Sequence, residues 1–218
     1  MVSKQEILQD MRYLKLLARE YPNVPSACTE IINLQAILNL PKGTEHFMSD
    51  IHGEDEAFLH ILNNASGVIK EKIDMIYANS MDAEERKSLA SLIYYPERKM
   101  AEILRSHIDK EDWYRVTLHR LIDVCGVITS KYTRSKVRKA LPRDFEYIID
   151  ELLNTNYYDR NKEQYYENII ATIIDVGRSE AFIVALANLI KRMAVDRLHI
   201  VGDIFDRGPH ADVILDRL

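Results

Sequence analysis

Apolar residues recur at three- and four-residue intervals along most of the chain, and two short stretches break that rhythm. Ile7, Met11, Leu14 and Leu17 follow Ser3 and Glu6, a capping-box pair, so the spacing predicts a helix to about residue 21. Pro22 and Pro25 end it, and a second helix is expected over 26–40, until Pro41, Lys42 and Gly43 break it. Residues 46–50 are short, apolar and bounded by turn signals, which predicts a buried strand. Helix resumes over 54–64, with Phe58, Leu59 and Leu62 as its apolar side. From 66 to 178 the pattern is helical almost throughout, with Pro96 and Pro142 where first-turn prolines belong. Tyr114, Leu118, Leu121, Cys125 and Ile128 form an apolar seam for helix-on-helix packing. Tyr147, Ile148 and Leu152, then Tyr166, Ile169, Ile170 and Ile173, repeat the pattern. A helix over 179–195 feeds a second buried strand at 198–202, and a last helix begins at His210.

Composition narrows the function classes. Seven glycines and six prolines in 218 residues suit a mainly helical chain. A net charge of −5 argues against a general nucleic-acid binder, which normally shows a basic face. The two cysteines, Cys28 and Cys125, imply no disulfide framework and a reducing, cytoplasmic setting; both sit at helical apolar positions and are expected in the core. The first residues lack a signal-type apolar run, and the longest apolar stretch, 181–190, is interrupted by Asn188 and far short of the roughly 20 residues that span a bilayer. No membrane and no nucleic-acid partner is expected. Arg134, Lys136, Arg138, Lys139 and Arg143 could hold an anion, but a solvated helix face explains them more simply.

Candidate chemistry gathers in two motifs, each after an expected strand. The first is Asp50-Ile51-His52-Gly53; the second is Gly202-Asp203-Ile204-Phe205-Asp206-Arg207-Gly208. Functional loops collect at the carboxyl ends of strands in α/β sheets. Carboxylates with an imidazole suit manganese, iron or zinc. Asp-x-His alone is weak, but its pairing with Gly-Asp-x-x-Asp-Arg-Gly is far more specific, and no P-loop, dinucleotide fingerprint, His-Glu-x-x-His or Cys-x-x-Cys competes with it. His46, His60 and His199 read as structural, His107 and His119 as helix-face residues, and His210 as a surface histidine at a helix start.

These motifs resemble those of the calcineurin-like metallophosphatases, with Ser49 standing where that family's first signature usually has glycine. The stretch from Glu30 through Glu54 and the long helical segment between the motifs resemble the bacterial class III fructose-1,6-bisphosphatases. The resemblance covers essentially the whole chain and corresponds to the N-terminal part of longer proteins; the third signature, Gly-Asn-His, is not reached after Gly208. It implies an α/β calcineurin-like metallophosphatase fold, incomplete here, whose covered part is predominantly α-helical with two core strands. The expected organisation is 1–67 as helices, first strand and first metal motif, 68–177 as a helical insertion, and 178–218 as helix, second strand and second metal motif. The 148 residues between Gly53 and Gly202 favour such an insertion, since a plain βαβ unit needs about 30.

By the same resemblance, Asp50 and His52 would bind one metal ion and Asp203 would bridge it to a second. Arg207 would grip the substrate phosphate, and Asp206 would orient the histidine of the third motif. Manganese is the expected ion, two per full-length enzyme. The implied activity is hydrolysis of fructose 1,6-bisphosphate to fructose 6-phosphate and phosphate in gluconeogenesis by the full-length parent, with the chain alone expected to be inactive. The implied partner is a sugar bisphosphate, and homo-oligomer formation is left open. The alternatives are a related phosphoprotein or dinucleoside-polyphosphate phosphatase, or a non-catalytic helical interaction fragment.

Overall fold

The computed structural model describes residues 4–105, 109–155 and 162–218, so Ser3 of the expected capping box and His107 lie outside the described residues. The chain divides into two compact units, Met1–Pro41 and Lys42–Leu218.

The first unit holds α1 (Lys4–Gln9), α2 (Met11–Glu20) and α3 (Val24–Leu38). The single helix expected to residue 21 is broken at Asp10. Asp10, with φ −92° and ψ 9°, leaves helical geometry. The next helix starts two residues earlier than its pattern suggests. Asn23 caps it by accepting from the Ser26 amide at 2.9 Å, and Pro25 sits in its first turn, opening this helix rather than closing the previous one. No residue of α2 or α3 is buried, so Cys28, expected in the core, is exposed.

The second unit runs β1 (Glu45–Ser49), α4 (Asp55–Asn64), α5 (Val68–Tyr77), α6 (Ala83–Tyr94), α7 (Pro96–Arg105), α8 (Lys110–Thr129), α9 (Arg134–Ala140), α10 (Glu146–Asn154), α11 (Glu163–Asp175), α12 (Ser179–Ala194), β2 (Arg197–Val201) and α13 (Ala211–Leu215). Pro96 opens α7, while Pro142 precedes a short 3₁₀ turn at Arg143–Phe145. Both strands lie one residue N-terminal of their expected positions. They pair in parallel, with Glu45 opposite Arg197 and Ser49 opposite Val201.

Two apolar cores form among the described residues. The larger joins Leu118, Leu121, Cys125 and Ile128 of α8 to Ile170 of α11 and to Phe182, Ile183, Leu186 and Ile190 of α12. The expected α8 seam is therefore buried, with Tyr114 partly so. Each leucine in it contributes on the order of 1.5–3 kcal/mol by leaving water. On α10, Leu152 faces this core but Tyr147 is exposed, since Ile149 and not Tyr147 occupies the inner face. The smaller core, Met48, Ile51, Phe58 and Ile214, lies beneath the strand pair and is flanked by Leu198 and Ile200. His46 and Met48 point into the protein while Glu45, Phe47 and Ser49 stay exposed, the period-two alternation of a strand covered on one face.

His46 is buried against Ser66, with which it hydrogen-bonds, and burial pushes its imidazole below the ordinary value. His60 stacks on Tyr95, and His199 stacks on Phe47 and pairs with Glu45 at 3.2 Å. His119 meets Glu167 at 3.1 Å. These four histidines sit outside the motif loops, as expected.

A polar knot stands at the starts of both strands. Asp196, just ahead of β2, accepts from the Thr44 amide at 2.8 Å, pairs with Lys136 at 2.8 Å and meets Lys131 at 3.2 Å. Lys131, just past α8, also donates to Thr44 Oγ1 and to the Ala194 carbonyl, each at 2.9 Å. Burial pushes the Asp196 carboxyl up, but the hydrogen bonds from Lys136, Tyr132, the Thr44 amide and Lys131 outweigh it and hold the group well below the usual carboxylate range. The basic segment is thus in good part paired: Arg134 and Arg138 both reach Asp150.

Candidate metal centre

Because β1 and β2 are parallel and in register, their carboxyl ends deliver the two motif loops to one place. The pairing continues past the strands as a zip between the loops. The amides of Asp50, His52 and Gly53 donate to the carbonyls of Val201, Asp203 and Ile204 at 3.2, 3.1 and 2.9 Å. In return, the amides of Gly208 and His210 donate to the carbonyls of His52 and Gly53 at 2.5 and 3.3 Å.

The approach explains three glycines. Gly202 has φ +79°, and a Cβ there would run into the Asp50 carboxylate. Gly53 and Gly208 meet backbone to backbone, and a side chain on either would overlap the other strand's loop. Three non-glycine residues of the motifs are also left-handed: Asp50 at φ 53°, His52 at φ 52° and Arg207 at φ 70°. Such conformations cost on the order of 1–3 kcal/mol each and persist where the surroundings over-determine them, often at functional sites.

Of the five residues singled out from sequence, the fold brings His52, Asp203 and Asp206 closest. Each offers a donor atom within 4.8 Å of the others. His52 Nδ1 donates to Asp206 Oδ1 at 2.7 Å, which leaves Nε2 as the outward nitrogen. That bond holds the Asp206 carboxyl below its ordinary range. The histidine served by Asp206 in this structure is therefore His52. Asp50 stands beside the trio rather than in it: its Oδ1 accepts from the Asp203 amide at 3.4 Å. Arg207 is largely exposed, its Nε 3.2 Å from Asp206. A cavity of about 370 Å³ opens on the β1 side of this cluster, with Asp50, His52 and Glu54 on its wall and His46 and Ser66 deeper in. His46 and Ser66 were not candidates from sequence, since nothing in the chain's spacing links residues 20 apart across a helix and a turn.

The donor chemistry fits a divalent ion. Metal-bound histidines commonly donate their second N–H to a carboxylate, as His52 does to Asp206. Carboxylate oxygens and imidazole bind borderline cations at about 2.0–2.2 Å, and a donor atom of each of His52, Asp203 and Asp206 already lies within 4.8 Å of the others.

A metal-ready loop pair at the carboxyl ends of parallel strands defines the class of site. The comparisons with known proteins are more particular. The family model described as Firmicute fructose-1,6-bisphosphatase matches residues 12–218, and the chain belongs to that family. It is 60% identical over 217 residues to "Fructose-1,6-bisphosphatase class 3 1" of Clostridium beijerinckii, covering 100% of this chain and 33% of that protein. It is 59% identical over 214 residues to the class 3 fructose-1,6-bisphosphatase of Clostridium acetobutylicum, covering 98% and 32%. The Clostridium novyi relative is likewise 59% identical, over 212 residues. The chain thus spans about a third of the length of the curated relatives it matches. No solved structure matches it.

Proposed function

We propose that this chain contributes two metal-binding motifs to a metal-dependent fructose-1,6-bisphosphatase of gluconeogenesis, built on a calcineurin-like α/β core with residues 68–177 as a helical insertion. The observation that carries this reading is the zip between the motif loops, which sets His52, Asp203 and Asp206 around one point. Family membership and the names of the relatives support the substrate. A helical core separate from that of the strand pair supports a helical module between the motifs, although α12, beyond residue 177, packs into it as well.

His52, through Nε2, and Asp50 would hold one ion. Asp203 would serve that ion and a second, since a carboxylate offsets two cations at once. When bound, such ions, with manganese our choice, supply Lewis acidity and lower the pKa of water. Asp206 is a positioning residue: its bond to His52 Nδ1 fixes the ring and its tautomer. Arg207, a planar donor fork on an exposed left-handed turn, would take the substrate phosphate. We place the enzyme in the cytoplasm; among the described residues no helix is long and apolar enough to cross a membrane.

The test is phosphate release with manganese by the protein at its full natural length, across fructose 1,6-bisphosphate, phosphoproteins and dinucleoside polyphosphates. Preference for the sugar bisphosphate is expected; preference for either other class would overturn the reading. Calorimetry on the 218-residue chain alone should show at most one tightly bound manganese ion and no turnover, because Asp50, His52 and Asp203 together make one ion's worth of donors. Two tight ions with turnover would refute that ligand count.

A further inference from the structure

The basic segment after α8 is not used by the metal centre, and pairing does not exhaust its charge. Lys136 and Lys139 of α9 and Arg192 near the end of α12 line a cavity of about 280 Å³, floored by Met193 and Val195 and bordered by Tyr132 and Asp196. We propose that this cleft binds a small phosphate-bearing anion.

The argument begins with charge. Lys131, Lys136, Lys139 and Arg192 face a single carboxylate, Asp196, which Lys131 and the Thr44 amide already engage. Arg134 and Arg138 are left out of this count, because Asp150 pairs with both. Among the described residues, Lys139 and Arg192 have no ion pair; Arg192 reaches only the Ala140 carbonyl, at 3.5 Å. The C-terminal ends of α9 and α12 point here and each bring roughly half a negative charge. The cleft stays positive even so.

Geometry adds a shape. The cavity is about nine times the ~30 Å³ share of one water, room for a phosphate with a small organic group. Two ammonium groups and a guanidinium around an open cleft suit a tetrahedral dianion, which takes several charge-assisted hydrogen bonds at once. The ring of Tyr132, with the Lys136 ammonium 4.0 Å from its centroid, and the apolar floor would cover the organic part. A bound phosphate would compete with Asp196 for Lys136, whose only ion pair among the described residues is that one at 2.8 Å.

Titration calorimetry with inorganic phosphate and with glycerol 3-phosphate, in chelator so that no metal takes part, tests the proposal. Saturable binding of both is expected. Lys139→Gln and Arg192→Gln, both at exposed positions, should each weaken it about fivefold or more, the loss of one charge-assisted contact. Asp196→Asn should tighten it, by removing the competing carboxylate, and Arg207→Gln should leave it unchanged, which separates this cleft from the motif loops. No saturable binding, binding lost with Arg207→Gln, binding indifferent to both cleft variants, or binding only to anionic phospholipid vesicles would each overturn the assignment.

Discussion

Asp196→Asn should loosen the whole Lys42–Leu218 unit. The carboxylate holds the Thr44 amide, Lys131 and Lys136 at 2.8–3.2 Å. The side chains of Asp196 and Lys131 are each only 14% exposed. Asparagine keeps the shape and one acceptor, but turns the second oxygen into a donor aimed at an ammonium or an amide. Removing one partner of a fully buried pair costs about 3–5 kcal/mol. Here some water reaches the site and Lys136 can swing out, so about 2–3 kcal/mol is expected, comparable to one lost hydrogen bond between charged groups. Urea unfolding followed by circular dichroism at neutral pH measures it. The pH dependence carries a sign. The folded-state carboxyl lies below its unfolded value of about 3.9, so its stabilisation is complete above that value and is lost as pH falls through the depressed one. The gap between wild type and variant should stay flat from about pH 8 to pH 5 and narrow below about pH 4. A gap under about 1 kcal/mol, or one that persists undiminished in acid, would refute the clamp.

Gly202→Ala sets a methyl against the Asp50 carboxylate at φ +79°, so it should cost at least the ~1–2 kcal/mol of left-handed strain and weaken manganese binding; urea unfolding and calorimetry check both, and unchanged values would show that the motif loops do not meet this closely. Ellman's reagent should label Cys28 at once and Cys125 only on unfolding, because Cys28 is exposed while Cys125 is fully buried with its thiol pushed up to about 12; prompt labelling of two thiols would contradict the α8–α12 packing.

Helical periodicity made the long α8 seam and the α12 face readable, because burial there repeats with the helix itself. The strands were legible from their turn signals to within one residue. Pattern alone misled where burial depends on a neighbour that the pattern does not name. Cys28 and Tyr147 lie at helical apolar positions, yet Cys28 is exposed and Ile149 takes the inner face that Tyr147 was expected to share. The motif residues were evident, and their convergence follows from two parallel strands. The bond of Asp206 to His52 could not be read, since 154 residues separate the two. The polar knot was missed for the same reason. Lys136 looked like part of a solvated face because its counter-charge, Asp196, lies 60 residues on.

The parallel pairing of two strands so far apart also sets an order of events during synthesis. Thr44 and Asp196 are 152 residues apart, so at about 5–20 residues per second the first motif waits roughly 8–30 seconds for its partner to be made. Closing so long a loop by the strands alone would be entropically costly and slow. The helices made in the interval can settle first. When α12 docks on α8, the chain just beyond it carries Asp196 to Lys131 just past α8, and β2 arrives beside β1 already aligned. Assembly of the metal loops then follows the packing of the helices, gated by a helix that contains none of their residues.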